Sequence, residues 1–120
     1  MKLINDCVRE VLLYTEDKQE YDKPLYISNM KSKYSKDDIN YTCEKLAEAN
    51  FLNIQTDICG NIFILSITYN GHQFLDNIRD NKVWSTTKSI LSKLESVSID
   101  IISKTATNVI LSMLQPTSVS

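Results

Sequence analysis

Apolar side chains recur along this chain in changing rhythms, and the order of those rhythms predicts its elements. Residues 3–16 place Leu3, Ile4, Cys7, Val8, Val11, Leu12 and Leu13 on one broad stripe at helical spacing. Lys18 to Pro24 is polar and ends in proline, which disfavours helix at the residue before it. Leu25-Tyr26-Ile27 reads as a short strand, and 28–34 fits either a poor helix or extended chain. Ser35 opens the best-marked helix. Its hydroxyl can accept from free amides of the first turn, and Asp37 and Asp38 sit at the positive end of the helix dipole. The expected buried stripe is Ile39, Thr42, Cys43, Leu46 and Ala47, and Asn50 closes the helix because it tolerates left-handed backbone.

The rhythm then shifts. Residues 51–56 and 62–67 are rich in aromatic and branched side chains, and Asp57-Ile58-Cys59-Gly60-Asn61 supplies turn chemistry between them, which predicts a β-hairpin. Thr68 caps a third helix with Phe74, Leu75 and Ile78 inward, and Asn81 punctuates it. Val83-Trp84 restarts an apolar stripe that runs through Ile90, Leu91 and Leu94. Ser98 caps the last helix, with Asp100 in its first turn. Inside that helix Ile99, Ile102, Ala106, Val109 and Met113 follow 3-4-3-4 spacing, the seam of a coiled coil, and they are the expected dimerisation residues of a homodimer. The run is shorter than the ~3–4 heptads that argue for a free-standing coiled coil, so packing on the chain's own domain stays open beside dimerisation. The helix–hairpin–helix order predicts an α+β fold. Its parts are a winged helix-turn-helix-like domain over 1–80, a helical extension over 81–114 for packing or dimerisation, and a flexible tail over 115–120.

Composition narrows the class. A chain of 120 residues, 42% hydrophobic, suits one core and leaves no room for two. No apolar run approaches the ~20 residues that span a bilayer. The polar start at Lys2 does not read as a signal peptide. Cys7, Cys43 and Cys59 form no paired motif and are odd in number, so they read as reduced thiols packed as small hydrophobes in a cytoplasmic protein. The net charge of −2 argues against a protein that coats DNA. Charge is uneven, however. Residues 1–22 carry three basic and six acidic side chains, whereas 23–36 carry four lysines and no acid.

Chemistry is sparse. His72 is the single histidine and can pair with Asp76 one turn on, but no serine or cysteine beside it forms a nucleophile motif. Gly71 alone makes no phosphate loop, and scattered acids give no metal motif. The expectation is a non-enzymatic protein without cofactor or metal. In a winged helix, residues 35–50 would be the recognition helix and the hairpin the wing. Lys31, Lys33, Lys36, Asn40, Tyr41 and Lys45 are then the candidate contacts to DNA or a partner protein. Asn40 can read an adenine edge and Lys45 a phosphate. Against DNA stand the four acids of that helix, Asp37, Asp38, Glu44 and Glu48, facing only Lys36 and Lys45, and a wing tip with Asp57 and no cation. The two leading readings are a DNA-binding regulator acting as a dimer and a module that captures a host protein. Trp84 and the six tyrosines read first as packing residues with one edge exposed.

Two segments carry a family pattern. Tyr34-Ser35 through Ile39, Tyr41, Leu46, Glu48-Ala49 and Leu52 follows Y-S-x-x-x-I-x-Y-H-x-x-L-x-E-A-G-L-I, and Leu65 to Trp84 carries Gly71-His72, Phe74-Leu75-Asp76, Arg79 and Trp84 of L-T-x-x-G-H-x-F-L-D-x-x-R-x-x-x-x-W. The chain thereby resembles an uncharacterised family of short phage and prophage proteins, a domain of unknown function. The resemblance implies a winged-helix-like fold and a mobile-element origin, and brings no activity. Two positions depart from it: Thr42 stands where the family has histidine and Asn50 where it has glycine. A role for the first-motif histidine does not carry over to this chain.

Overall fold

A computed structural model describes residues 1–115. The elements run α1 (Asn5–Lys18), β1 (Leu25–Tyr26), a 3-10 turn at Ile27–Asn29, α2 (Lys36–Glu48), β2 (Leu52–Thr56), β3 (Ile62–Ile67), α3 (Tyr69–Ile78), α4 (Asn81–Leu91) and α5 (Ile99–Leu114). The fold is α+β, five helices around one three-stranded antiparallel sheet of order β1-β3-β2. No helix among the described residues is long and apolar enough to cross a membrane.

The starts of α2, α3, α4 and α5 are set by side chains that satisfy free first-turn amides. Ser35 Oγ accepts from Asp38 N at 3.0 Å, Thr68 Oγ1 from Gly71 N at 2.9 Å and Ser98 Oγ from Ile101 N at 3.1 Å. The break expected at Asn81 falls one residue earlier: Asp80 caps α4, its Oδ1 accepting from Lys82 N and Val83 N, and Asn81 is already helical. Asn50 follows α2 at φ 64°, the left-handed position that ends a helix. Ile27 leaves the strand it was expected to extend and buries its side chain from the 3-10 turn.

In the hairpin, Asn53 faces Ser66 and Ile54 faces Ile64, so Leu65 is an extra residue on β3. This bulge leaves Leu65 partly exposed. The tip is organised by Asp57, whose carboxylate accepts from Cys59 N and Asn61 N, both at 2.9 Å, while Gly60 takes φ 83°.

One core joins all parts. Cys7, Val8, Val11 and Leu12 of α1 meet Ile39, Cys43 and Leu46 of α2, Ile64 of β3 and Phe74, Leu75 and Ile78 of α3. Trp84, Leu91, Ile99, Ile102 and Ala106 belong to the same cluster, so the 81–114 segment shares the core of the 1–80 segment. Three buried threonines avoid a desolvation penalty by bonding back one turn: Thr15 to Val11 O, Thr42 to Asp38 O and Thr87 to Val83 O, at 2.7–2.8 Å.

The heptad spacing in α5 holds, but the molecule uses it internally. Ile99, Ile102, Ala106 and Val109 are buried within the single chain, in a helix that packs on α3 and α4. They do not form an open seam for a second copy, and only Met113 of the five keeps half its surface exposed. Ile90 and Leu94, expected on the buried stripe, are also exposed. Of the expected tail, 116–120 lies outside the described residues.

Candidate interaction surface

The six candidate contact residues sit around α2, in three adjoining hollows instead of one cleft. Lys31 and Lys33 line a groove of about 540 Å³ whose opposite wall is the Asp6, Glu10, Asp17 face of α1. Lys36 and Asn40 border a smaller hollow of about 180 Å³ above Ile27, Met30 and Tyr34. Tyr41 and Lys45 face a third, of about 550 Å³, walled by the N-terminal residues and 96–100.

Two of the four lysines rest on aromatic rings. Lys33 Nζ lies 5.3 Å from the Tyr34 ring centre and Lys45 Nζ 5.4 Å from that of Tyr41. Lys45 also pairs with Glu48 at 3.1 Å, and the hydrogen bond to that carboxylate raises its pKa. Lys31, Lys33 and Lys36 have no ion pair among the described residues. Lys23 at the start of the basic stretch is held by Glu20 at 2.8 Å.

His72 is exposed at the mouth of a hollow shared with Glu16, Gln19 and Tyr21. Its expected partner Asp76 is taken by Arg79 at 2.8 Å, and Arg79 also forms a two-pronged bond with Glu16 at 2.6 and 2.7 Å. That bond and the Arg79 charge hold the Glu16 carboxyl below its usual range. No group of three or more His, Cys, Asp or Glu side chains able to hold a metal occurs among the described residues.

The cysteines divide. Cys7 and Cys43 are buried, and desolvation pushes the Cys43 thiol up to about 12. Cys59 does not pack as a small hydrophobe: it is exposed on the hairpin tip. Beside it Ile58 is fully exposed, the most open large apolar side chain of the described residues.

Three polar links were not among the candidates. Trp84 Nε1 donates to Asp6 Oδ1 at 2.9 Å, and Lys88 Nζ donates to Asp6 Oδ2 at 3.2 Å. Arg9 donates to the carbonyls of Ile78 and Arg79 and to Asn81 Oδ1, at 2.7–2.9 Å, which covers the free end of α3. Gln19 donates its amide to Ile64 O and Leu65 O at 3.0 and 2.7 Å, where β1 stops short. The only sequence signal for them was polar residues bordering apolar stripes.

The second motif has a physical reason. Thr68 donates through Oγ1 to Asn50 O at 2.6 Å and through its amide to Phe51 O at 3.1 Å, tying the end of α2 to the start of α3. Gly71 sits against the same peptide, and a Cβ there would lie 2.0 Å from Phe51 O and 2.8 Å from Ile67 Cγ2. A family described as hypothetical protein (DUF2513) matches residues 2–98, most of the chain. The chain belongs to it. The DUF2513 match ends at the cap of α5, so that helix lies beyond the matched residues although it supplies Ile102 and Ala106 to the core. No curated protein and no solved structure matches the chain.

Proposed function

We propose that this DUF2513 chain is a non-enzymatic protein-interaction module on a winged-helix scaffold, which captures a protein through α2 and the β2–β3 hairpin. The element order α1, β1, α2, β2, β3 and the sheet order β1-β3-β2 support the winged-helix reading, with the hairpin as wing. A mobile-element origin, implied by the motif resemblance, makes the captured protein one of the host.

The observation that carries this reading is the chemistry of the wing. Residues 51–78 contain no lysine or arginine, and the hairpin tip presents Ile58 beside the acidic Asp57. A wing that follows a phosphate backbone needs cations, because affinity for DNA comes mainly from neutralised phosphates. A fully exposed isoleucine held by an ordered turn suits an apolar pocket on a protein, with basic groups at its rim to meet Asp57.

One observation favours DNA as a second reading. Lys31, Lys33 and Lys36 lie unpaired at the approach to α2, among the described residues, and could reach a backbone. Fluorescence anisotropy of a labelled duplex at low salt separates the two. Protein capture predicts no salt-dependent binding by the intact chain. It also predicts that a photo-reactive residue at position 58 forms an adduct with a protein, insensitive to nuclease. Tight duplex binding with a steep salt slope, lost on charge reversal of the three lysines, would replace this reading with the DNA one.

A further inference from the structure

We infer that the groove between α1 and residues 30–34 binds a small zwitterion, an amino acid or short peptide with an ammonium and a carboxylate on one apolar body. The groove has a volume of about 540 Å³, within the range of small-molecule sites. Its floor is apolar: Met30 is buried, and Leu13, Tyr14 and Tyr34 are half-buried against the core. Its walls differ in sign. The α1 wall carries Asp6, Glu10 and Asp17, and the opposite wall carries Lys31 and Lys33.

Three of the charges that line the groove are already engaged. Asp6 accepts from Trp84 and Lys88, the Arg9 guanidinium is bonded to the end of α3, and Asp17 pairs with Lys18 at 3.4 Å. The other three, Glu10, Lys31 and Lys33, have no ion pair among the described residues, although they are of opposite sign and line one groove. Glu10 is half-buried. Its carboxylate and the hydroxyls of Tyr14 and Tyr34 have no hydrogen-bond partner among the described residues. Burial and the charges of Asp6 and Glu10 push the Tyr34 phenol up, so it stays protonated as a donor.

Unpaired charges of opposite sign on facing walls select what lies between them. An anion alone is repelled by Glu10, and a cation alone by two lysines. A polyanion meets the same repulsion from the acids of the α1 wall. A zwitterion satisfies both walls: its ammonium donates to Glu10, and its carboxylate accepts from Lys31 and Lys33 in charge-assisted bonds. Its apolar body then covers Tyr14, Met30 and Tyr34.

This inference does not depend on what α2 and the hairpin capture. Isothermal titration calorimetry of the full chain tests it with probes that share one apolar body. L-Phenylalanine and glycyl-L-phenylalanine are zwitterions, phenethylamine keeps only the ammonium, and phenylpropionate keeps only the carboxylate. At least one zwitterion is expected to bind about tenfold or more tightly than either singly charged analogue. The tighter of the two tells a free amino acid from a peptide. Glu10→Gln should weaken the zwitterion by about tenfold and spare phenylpropionate, whereas Lys31→Gln combined with Lys33→Gln should weaken it and spare phenethylamine. Circular dichroism should not change, because none of the three side chains is in an ion pair. Absence of binding by both zwitterions at millimolar concentration overturns the proposal. So does a zwitterion affinity that matches the singly charged analogues or survives both sets of substitutions.

Discussion

At the scale of single residues, Gly71 and His72 stand side by side in one motif and do opposite things. Gly71 is buried where α3 passes over the Phe51 carbonyl, and no side chain fits there. Gly71→Ala must push backbone against backbone, because the obstructing atom is a peptide oxygen and not a side-chain end that can swing away. The expected cost is ~3 kcal/mol or more, read as a large fall in melting temperature. His72 points to solvent, and Asp76 is already bonded to Arg79. His72→Gln should therefore move stability by less than ~0.5 kcal/mol, and a larger loss would mean that the imidazole has a partner. The sequence marked both residues but could not separate them, since the approach comes from Phe51, the residue before β2, twenty positions earlier. Ile58 and Cys59 were equally hard to place. An apolar residue at a turn carries no local sign of whether the turn folds in or stands out.

At the scale of elements, the helix boundaries were the most legible feature. A cap acts within three or four residues, so Ser35, Thr68 and Ser98 announced their helices from local chemistry alone. The break after α3 was expected at Asn81, but it falls at Arg79 and Asp80, and Asp80 caps α4. The candidate site was less legible. Spacing put Lys36, Asn40, Tyr41 and Lys45 on the open side of one helix, but the hollows they border are finished by α1, the 3-10 turn and residues 96–100. The clamp between α1 and α4 is also invisible to spacing and yields a pH prediction. Burial alone would raise the Asp6 carboxyl, but hydrogen bonds from Trp84 and Lys88 outweigh it and leave it lowered. A group with a depressed folded pKa adds stability above its unfolded value of ~3.9 and loses it as pH falls through the folded value. An acid titration should thus show a loss of stability below about pH 4, where the unfolded carboxyl takes its proton first. Trp84, the sole tryptophan, reports it by fluorescence. Asp6→Asn should be less stable at neutral pH and show a shallower acid limb, and an unchanged limb would mean that other carboxylates, such as Glu16, carry the effect.

At the scale of the whole molecule, α5 is the case where spacing marked the covered face and left open whether the chain's own domain or a second copy covers it. A 3-4-3-4 stripe states that a helix is covered on that side, and it is silent on who covers it. Here α3 and α4 do, and four of the five seam residues are spent on the monomer's core. Ile102→Glu is then a folding variant and not an assembly variant. A carboxylate at a fully buried site without a partner should cost ~4 kcal/mol or more and unfold the chain at any concentration. A folded monomer from Ile102→Glu would show that α5 can leave the core, returning the seam to a second copy.

The links made by α1 also set a schedule for biosynthesis. Arg9 finds its carbonyls 69 and 70 residues later, and Asp6 meets Trp84 and Lys88 at separations of 78 and 82. α1 leaves the ribosome before α2, α3, α4 and α5, yet it is among the last to be secured. Closing such long loops is the slow part of folding, and until α4 has emerged the apolar stripe of α1 has only part of its cover. Synthesis at ~5–20 residues per second leaves roughly one to five seconds between the hairpin and the end of α4 in which Val8, Val11 and Leu12 have only α2, the hairpin and then α3 for shelter.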